Sequence, residues 1–373
     1  MQHAILYGSS LSLYTGRARS YLIKAGIPYK EIIPGSEHFL KNVLPQAGNR
    51  RGLPTLETAQ GEVIRDGAAI VDHYERANGH AFSPTTPKLR VLSRLFDLIG
   101  AEGLLRPAMH YRWNFPDQNL EFLRFHFRSL SPAGPNQAKI ADDNADKMRA
   151  ACMAFGAVPE TFELVEALYG ELMAKLDAHF AQFPYLLGGK PSVGDFGLIA
   201  PMFGHLGRDP KPLALMQTKA IRLFRWVERM NRPDVDVGEF GEIAAGYFAD
   251  DAIPDTLVAL LRQIAVDFVP ETVAAAKCVN EWLGQQADGL SPGTEALRGV
   301  GMASFTVRGV EINALAQPYR FFLLQRVQDE YQGLADEDQQ AVRAMLDQCQ
   351  MGSLLDTALS RRLGRSDNLE VWL

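Results

Sequence analysis

The chain has 373 residues, 47% of them hydrophobic and 22% charged, which is enough for two or three domains of an ordinary globular protein. Its net charge of −6 gives no reason to expect nucleic acid or an anionic membrane as a partner, and no run approaches the roughly 18 apolar residues of a membrane span. The three cysteines lie far apart without a metal-binding spacing, and their odd number fits reduced thiols, so we expect a cytoplasmic protein without a metal site, a nucleic-acid partner or a membrane partner.

The first stretch of the chain predicts a strand, a loop and the start of a helix. The apolar run Ala4–Tyr7 ends in a loop rich in hydroxyl groups, and a helical pattern follows with Ala18, Tyr21 and Leu22 on one side. Ser12 lies where the helix begins, next to unpaired backbone N–H groups and the positive end of the helix dipole. A serine there can hold an anion, or a thiol that must become one, and it can equally be a helix cap without chemistry.

The rest of the N-terminal part predicts a small α/β unit. Residues 27–33 predict a second strand, and residues 36–44 predict a short helix or an ordered loop. Leu53-Pro54 precedes two short β-type runs on either side of Gly61, which is typical of a hairpin, and residues 68–74 predict a helix. The order of elements is therefore βαβ, a connection, then ββα.

Three motifs in this unit point to a family. Leu6-Tyr7-Gly8 through Leu22 fits the pattern L-Y-G-x-x-x-S and the helix after it, Leu53-Pro54 fits V-P, and Asp66 through Ile70 fits E-S-x-A-I. In this combination residues 3–80 resemble the thioredoxin-like N-terminal domain of the glutathione transferase superfamily, in particular its phi and theta classes. The resemblance places Ser12 on the catalytic serine of those classes.

The resemblance also implies how glutathione is held. The Ser12 hydroxyl donates to the thiol, and with the helix N-terminus it stabilises the thiolate that attacks an electrophile. The backbone of Leu53, before a cis Pro54, pairs with the cysteinyl part, and Asp66 holds the γ-glutamyl end. Thiol–disulfide chemistry of the omega kind uses cysteine at this position, so a serine disfavours it.

Gly67 departs from the family pattern, which has serine there. One side-chain hydrogen bond to the γ-glutamyl carboxylate is absent, and at roughly 0.5–1.5 kcal/mol this loss weakens binding about tenfold without abolishing it. The backbone N–H at the helix start remains. Arg50 and Arg51, just before Leu53-Pro54, are best placed to neutralise the glycyl carboxylate.

From residue 85 onward the apolar positions recur with helical spacing. Residues 87–104 and 161–180 predict long helices. Ser192 and Asp195 stand at the N-cap and N3 positions of a further helix, where each side chain satisfies a backbone N–H. With Tyr185-Leu186 before them they match the family element Y-L-x-G-x-x-x-S-x-x-D, which the resemblance places at the start of the buried helix of an all-α second domain.

The cluster His110-Tyr111-Arg112-Trp113 combines aromatic and cationic groups. The resemblance places this region beside the electrophile, so His110, Tyr111 and Trp113, together with Tyr14, are candidates for the electrophile pocket. Ordinary packing between helices is an equally good interpretation of the cluster.

The chain continues far beyond the usual end of the family, without a family motif. Periodic apolar residues predict helices at 257–268, 273–283, 321–334 and 336–346, a short strand or hairpin arm at 303–311, and an apolar terminus at 369–373 that docks on the rest.

We therefore predict an α/β thioredoxin-like glutathione-binding domain over residues 1–82, an all-α transferase-like domain over 83–248, and a mostly helical extension over 249–373 packed on it. The leading function is a glutathione transferase, which conjugates glutathione to a small electrophile as in detoxification. Glutathione is then a co-substrate, and no permanently bound cofactor is expected. The alternative is a non-catalytic glutathione-binding or assembly module with the same fold, which Gly67 and the long extension favour. By analogy with the family we expect a homodimer.

Overall fold

A four-stranded mixed sheet organises the N-terminal part of the computed structural model, which describes residues 3–233, 237–243, 245–286 and 290–373. The elements of this part are β1 (Ala4–Tyr7), α1 (Leu13–Lys24), β2 (Tyr29–Ile32), β3 (Thr55–Glu57), β4 (Val63–Arg65) and α2 (Gly67–Ala77), with a π-helical turn at Phe39–Val43. The strand order is β2-β1-β3-β4, with β1 parallel to β2 and antiparallel to β3, and with β3 antiparallel to β4. The predicted order of elements is confirmed, and β4 is one edge of the sheet.

The alternation of side chains along β1 divides the apolar residues between the two faces of this sheet. Leu6 packs with Leu22 of α1 and Ile70 of α2, so these two helices cover one face. Tyr7 packs with residues of the π-helical turn, among them Phe39, on the other face. The ends of β1 and β4 therefore deliver the chain to the starts of α1 and α2 on the same side of the sheet.

Helices make up the next part of the chain. They are α3 (Pro87–Leu98), α4 (Leu105–Trp113), α5 (Pro116–Leu130), α6 (Gln137–Ala150), α7 (Phe162–Phe180), α8 (Val193–Gly204), α9 (Pro210–Lys219) and α10 (Ile221–Met230). A π-helical turn at Ile99–Gly103 joins α3 to α4, and α8 is buried along nearly its whole length.

The predicted capping box at the start of α8 is confirmed. Asp195 N–H donates to Ser192 Oγ at 3.4 Å, and Ser192 N–H donates to Asp195 Oδ2 at 2.8 Å. The other carboxylate oxygen of Asp195 accepts from Leu186 N–H at 3.0 Å and from Trp226 Nε1–H at 3.1 Å. The box therefore also connects α8 to the preceding loop and to α10.

The extension contains strands as well as helices, whereas the sequence predicted a mostly helical extension. Its elements are α11 (Asp255–Gln285), β5 (Met302–Val307), β6 (Val310–Leu315), α12 (Pro318–Gln332), α13 (Asp336–Gln348), β7 (Leu363–Ser366) and β8 (Leu369–Trp372). β5 pairs with β6 and β7 pairs with β8, both antiparallel. The hairpin arm predicted at 303–311 is thus one part of a full hairpin.

Two helices predicted at 257–268 and 273–283 are wrong as separate elements, because they form the single helix α11 with Pro270 inside it. Proline in a helix interior removes one backbone hydrogen bond. Apolar residues on both sides of it, among them Leu261, Phe268 and Val279, are buried in one core, and this burial outweighs the lost bond.

The extension packs on both preceding parts of the chain. Its apolar residues, including Trp372 at the predicted docking terminus, belong to the same core as α3 and α8. Arg326 of α12 binds Asp72 of α2 at 2.6 Å and lies 3.6 Å from Asp97 of α3. None of the helices within the described ranges has the length and apolarity needed to cross a membrane.

Candidate active site

The loop between β1 and α1 holds Ser12 at the start of α1. Ser12 has extended backbone angles, φ −87° and ψ 122°, and its Oγ accepts the N–H of Thr15 at 3.3 Å. Ser9 Oγ accepts the N–H of Leu11 at 3.1 Å, and Thr15 Oγ1 accepts the N–H of Ser9 at 3.3 Å, so hydroxyl groups fix the whole loop. Ser12 is half-buried, and a hydroxyl that accepts a cap bond keeps its proton for donation. Capping and thiol binding are therefore compatible at this residue.

The Leu53-Pro54 peptide bond is cis, as the resemblance implies, and it lies directly before β3. The carbonyl of Pro54 accepts the N–H of Asp66 at 3.0 Å, which places this segment beside the start of α2. Leu53 is half-buried, and its backbone N–H and C=O find no hydrogen-bond partner in the ranges that the structure describes. These two backbone groups are available to a ligand.

Asp66 stands just before α2 with φ 85° and ψ 137°, and its side chain does not cap that helix. Its Oδ2 accepts the hydroxyl proton of Tyr319 at 2.9 Å and lies 3.5 Å from Arg365 Nη1. Both partners come from the extension. The N–H groups of residues 67–69, at the start of α2, have no acceptor among the described residues, although Gly67 and Ala68 are buried. Such unpaired groups at a helix start can donate to an anion that reaches them.

Gly67 allows α1 to approach the start of α2. A Cβ atom there would lie 2.9 Å from the carbonyl oxygen of Tyr14 and 3.2 Å from Arg17 Cδ. Arg17 is buried and fixed, since its Nη2 donates to the backbone oxygen of Asp97 at 2.7 Å and lies 3.1 Å from Asp97 Oδ1. The departure from the family serine therefore has a steric cause in this chain.

Arg50 is bound by the chain itself. Its Nη2 donates to the backbone oxygen of Ala296 at 2.8 Å, its Nε donates to Glu295 Oε1 at 2.5 Å, and its Nη1 lies 3.6 Å from Glu370 Oε2. Arg51 is exposed. Of the two arginines predicted for the glycyl carboxylate, Arg50 already faces two carboxylates of the extension.

The β7–β8 hairpin lies along the free edge of β4. Asn368 Oδ1 accepts the N–H of Arg65 at 3.0 Å, and Asn368 Nδ2 donates to the backbone oxygens of Val63 and Gln46 at 2.9 Å each. The guanidinium of Arg65 donates to the backbone oxygen of Asn368 at 2.6 Å and to both Glu370 oxygens at 2.9 Å. The hairpin thus satisfies backbone groups that an edge strand leaves open.

Comparison with known proteins identifies the part of the chain that carries this site. Residues 6–81 match the family described as glutathione S-transferase, N-terminal domain. The N-terminal part of the chain is therefore similar to a glutathione S-transferase N-terminal domain. With the helices that follow it, the fold class predicted from the sequence is confirmed. No curated protein matches the sequence.

Several solved structures are similar to the chain. The β-etherase LigF from Sphingobium sp. strain SYK-6 is 19% identical, with a TM-score of 0.42 over 62% of this chain and 95% of that one. A theta class glutathione S-transferase from Xanthomonas axonopodis pv. citri, with glutathione bound, is 21% identical, with a TM-score of 0.39 over 66% and 100%. Glutathione transferase GSTFuA3 from Phanerochaete chrysosporium is 12% identical, with a TM-score of 0.45 over 62% and 96%.

Tyr14 is half-buried and Glu102 is buried, and the two side chains lie close enough to interact electrostatically. Burial raises the pKa of the Tyr14 hydroxyl, and the nearby Glu102 carboxylate raises it further. Burial raises the pKa of Glu102 to about 7, although Arg320 opposes this shift. Both carboxylate oxygens of Glu102 are buried without a hydrogen-bond partner in the described part of the molecule, which favours the neutral acid.

The other candidates for the electrophile pocket are buried in packing contacts of α4. His110 lies between Phe115 and Phe162, with ring centroids 5.3 and 4.5 Å away, and its Nε2 is 3.2 Å from Glu166 Oε1. Tyr111 belongs to the main core, whereas Trp113 belongs to a separate cluster with Leu11 and Phe127. The structure therefore does not gather His110, Tyr111 and Trp113 on one surface beside Tyr14.

Sequence reasoning missed the residues of the extension that reach the N-terminal domain. These residues are Tyr319, Asn368, Arg365 and Glu370. One signal was present, since Asp367-Asn368 stands between two short β-type runs, and both residues have the positive φ of a tight hairpin turn, 48° and 65°. The sequence predicted only that the terminus docks, and it could not show that the docking surface is β4.

Proposed function

We propose that the protein binds glutathione across the starts of α1 and α2 and adds its thiolate to an electrophilic small molecule. The observation that supports this most directly is the Ser12 hydroxyl at the N-terminus of α1, in a domain of the glutathione S-transferase N-terminal family. The Leu53 backbone groups and the N–H groups of residues 67–69 are unpaired within the described ranges, and the bond from Asp66 N–H to Pro54 O holds the two segments side by side. They suit the cysteinyl and γ-glutamyl parts of the peptide.

In this proposal Ser12 acts on the sulfur atom. Its O–H donates to the thiolate, and the α1 dipole adds a favourable field, so more of the bound thiol is ionised at neutral pH. The thiol proton leaves to solvent. The sulfur then forms a bond to the electrophilic carbon, and the electron pair of the broken bond leaves with the departing group or remains on the adduct.

The alternative is a non-catalytic glutathione-binding or assembly module. One observation favours it: Arg50 and Asp66, both predicted to hold charged groups of glutathione, already bind groups of the extension. The transferase proposal is preferred because two groups needed for the chemistry are not bound by the extension. These are the Ser12 hydroxyl and the Leu53 backbone.

Titration calorimetry with glutathione and a conjugation assay with a nitro-activated aryl chloride test the proposal together. We expect heat of binding at millimolar glutathione and turnover above the uncatalysed rate. Binding without turnover would favour the module. Absence of both heat and turnover would reject glutathione as the ligand.

Detoxification in the cytoplasm and a homodimer are further parts of the proposal. The β4 edge of the sheet is covered by the chain's own hairpin, so a homodimer has to use another surface. Light scattering of the purified protein distinguishes the mass of one chain from that of two.

A further inference from the structure

The hairpin and Tyr319 place charged and polar groups of the extension on the N-terminal domain. Glu370 lies 5% exposed between Arg65 and Arg365, with N–O distances of 2.9 and 2.8 Å. Arg365 also reaches Asp66, and Glu370 also faces Arg50. Arg50 and Arg65 of the N-terminal domain therefore each meet a carboxylate of the extension, and Asp66 meets a cation.

We propose that the β7–β8 hairpin is an internal competitor of glutathione, whose Glu370 and Arg365 occupy the charged half of the glutathione site until the peptide displaces them. This inference rests on the proposed function. It adds a regulatory role to a segment of the chain for which the family resemblance offers no motif.

The competition follows from matching charges. Glutathione carries two carboxylates and one ammonium group at neutral pH. Glu370 presents a carboxylate to Arg50 and Arg65, and Arg365 and Tyr319 present a cation and a hydroxyl donor to Asp66. A guanidinium already bound by a carboxylate gains little from a second one, so ligand and hairpin compete for the same partners.

The hairpin is built so that its tip and the side chain of Glu370 can leave while its base, including the Glu370 backbone, stays. The tip touches the N-terminal domain through polar groups, namely Asn368 on β4 and Arg365 on Asp66, and through the side chain of Leu369, which packs against Gly48. Water or a ligand can replace such partners at a modest net cost. The base is held by Trp372, which is fully buried, and by backbone bonds of residues 294–296 to β8, 2.8 and 2.9 Å long. A peptide ligand has no buried group that could replace Trp372, so the base stays in place.

Asn368→Gly is the most selective variant for a test. Residue 368 has a positive φ of 65°, and an Asp-Gly pair suits this turn, so the hairpin keeps its conformation. The variant loses the side-chain bonds to Arg65, Val63 and Gln46.

Glu370→Gln is the second variant, because it removes the competing charge and keeps the size of the side chain. Arg362→Gln is the control, since Arg362 lies next to the hairpin base and its side chain binds Asp329 of α12 at 2.7 Å.

Glutathione affinity is measured by calorimetry for the wild type and the three full-length variants. If docking of the tip lowers the population that can bind, Asn368→Gly and Glu370→Gln tighten binding about tenfold relative to the wild type and to Arg362→Gln. Thermal melting in the absence of glutathione is the second readout. We expect the two hairpin variants to melt at a lower temperature although they bind more tightly, which a purely structural role does not produce.

Equal or weaker binding by both hairpin variants, with measurable binding by the wild type, would overturn the competition and leave the transferase proposal intact. Absence of binding in all four proteins would remove the proposed function, and the competition with it.

Discussion

The backbone oxygen of Tyr14 lies 2.9 Å from the position that a Cβ atom of residue 67 would take. The starts of α1 and α2 can approach this closely because residue 67 is glycine. The same contact explains why this chain lacks the serine that the family pattern places there.

Restoring that serine is expected to destabilise the protein. In Gly67→Ser the new Cβ atom meets backbone, which cannot move without shifting α1, so we expect a loss of about 1–3 kcal/mol in the free energy of unfolding. Urea denaturation measures this loss. Gly170→Ala is the matched control, because Gly170 is an exposed helical residue with nothing within 4 Å of its Cβ position, and alanine there is expected to stabilise by about 0.5–1 kcal/mol. A Gly67→Ser protein as stable as the wild type would contradict the steric account.

Ser12 is expected to contribute to both stability and activity. Ser12→Ala removes the cap bond to Thr15, at about 1 kcal/mol of folding stability. It also removes the hydrogen bond to the thiolate, and at roughly 1.5–3 kcal/mol for a charged partner this lowers kcat/KM about ten- to hundredfold. Ser12→Thr keeps the hydroxyl and should retain most of both. The thiolate absorbance of bound glutathione, followed against pH, reports the thiol pKa directly, and an unchanged pKa in Ser12→Ala would remove Ser12 from the mechanism.

Glu102 is expected to make stability depend on pH. Burial raises its pKa in the folded protein to about 7 from an ordinary value of 4.5. The folded state therefore holds a proton that the unfolded state has released, and this contribution to stability is complete below pH 4.5 and is lost as the pH rises through 7. Glu102→Gln cannot titrate, so it should be more stable than the wild type at pH 8 and similar to it at pH 4.5. Urea denaturation at both pH values measures the difference, with the exposed Glu337→Gln as the control. A stability difference between the two proteins that does not change with pH would show that folding does not raise the pKa of Glu102.

His110 is expected to act through packing. It is 1% exposed and contacts Phe115, Phe162 and Glu166. His110→Ala should therefore lower the free energy of unfolding by about 2–4 kcal/mol, as for other large core truncations, and leave the KM for the electrophile unchanged. Tyr14→Phe, next to the Ser12 loop, serves for comparison and should change kcat/KM with a smaller loss of stability. A specific rise of the electrophile KM in His110→Ala would place His110 in the pocket after all.

Local sequence determined the framework of the site. The hydroxyl-rich loop fixes Ser12 at the start of α1 through bonds that span two to six residues, and the Ser192–Asp195 box works within one helical turn. The Asp66-Gly67 helix start was likewise recognisable from adjacent residues. These features depend on neighbours in the chain, so a pattern of residue types is enough to predict them. The cis form of the Leu53-Pro54 bond, in contrast, was implied only by the family resemblance.

Only the tertiary structure decided whether the site is free. The bond between Arg65 and Asn368 joins residues 303 positions apart, and the bond between Asp66 and Tyr319 joins residues 253 positions apart. From the sequence, these residues look like ordinary surface residues. The local pattern does not show which edge strand a hairpin covers. Docking of the extension depends on the shape and burial of the whole core. Ser12 as a candidate thiol activator could therefore be predicted from sequence, whereas the charged partners of glutathione and their occupation by the chain's own C-terminal hairpin could not.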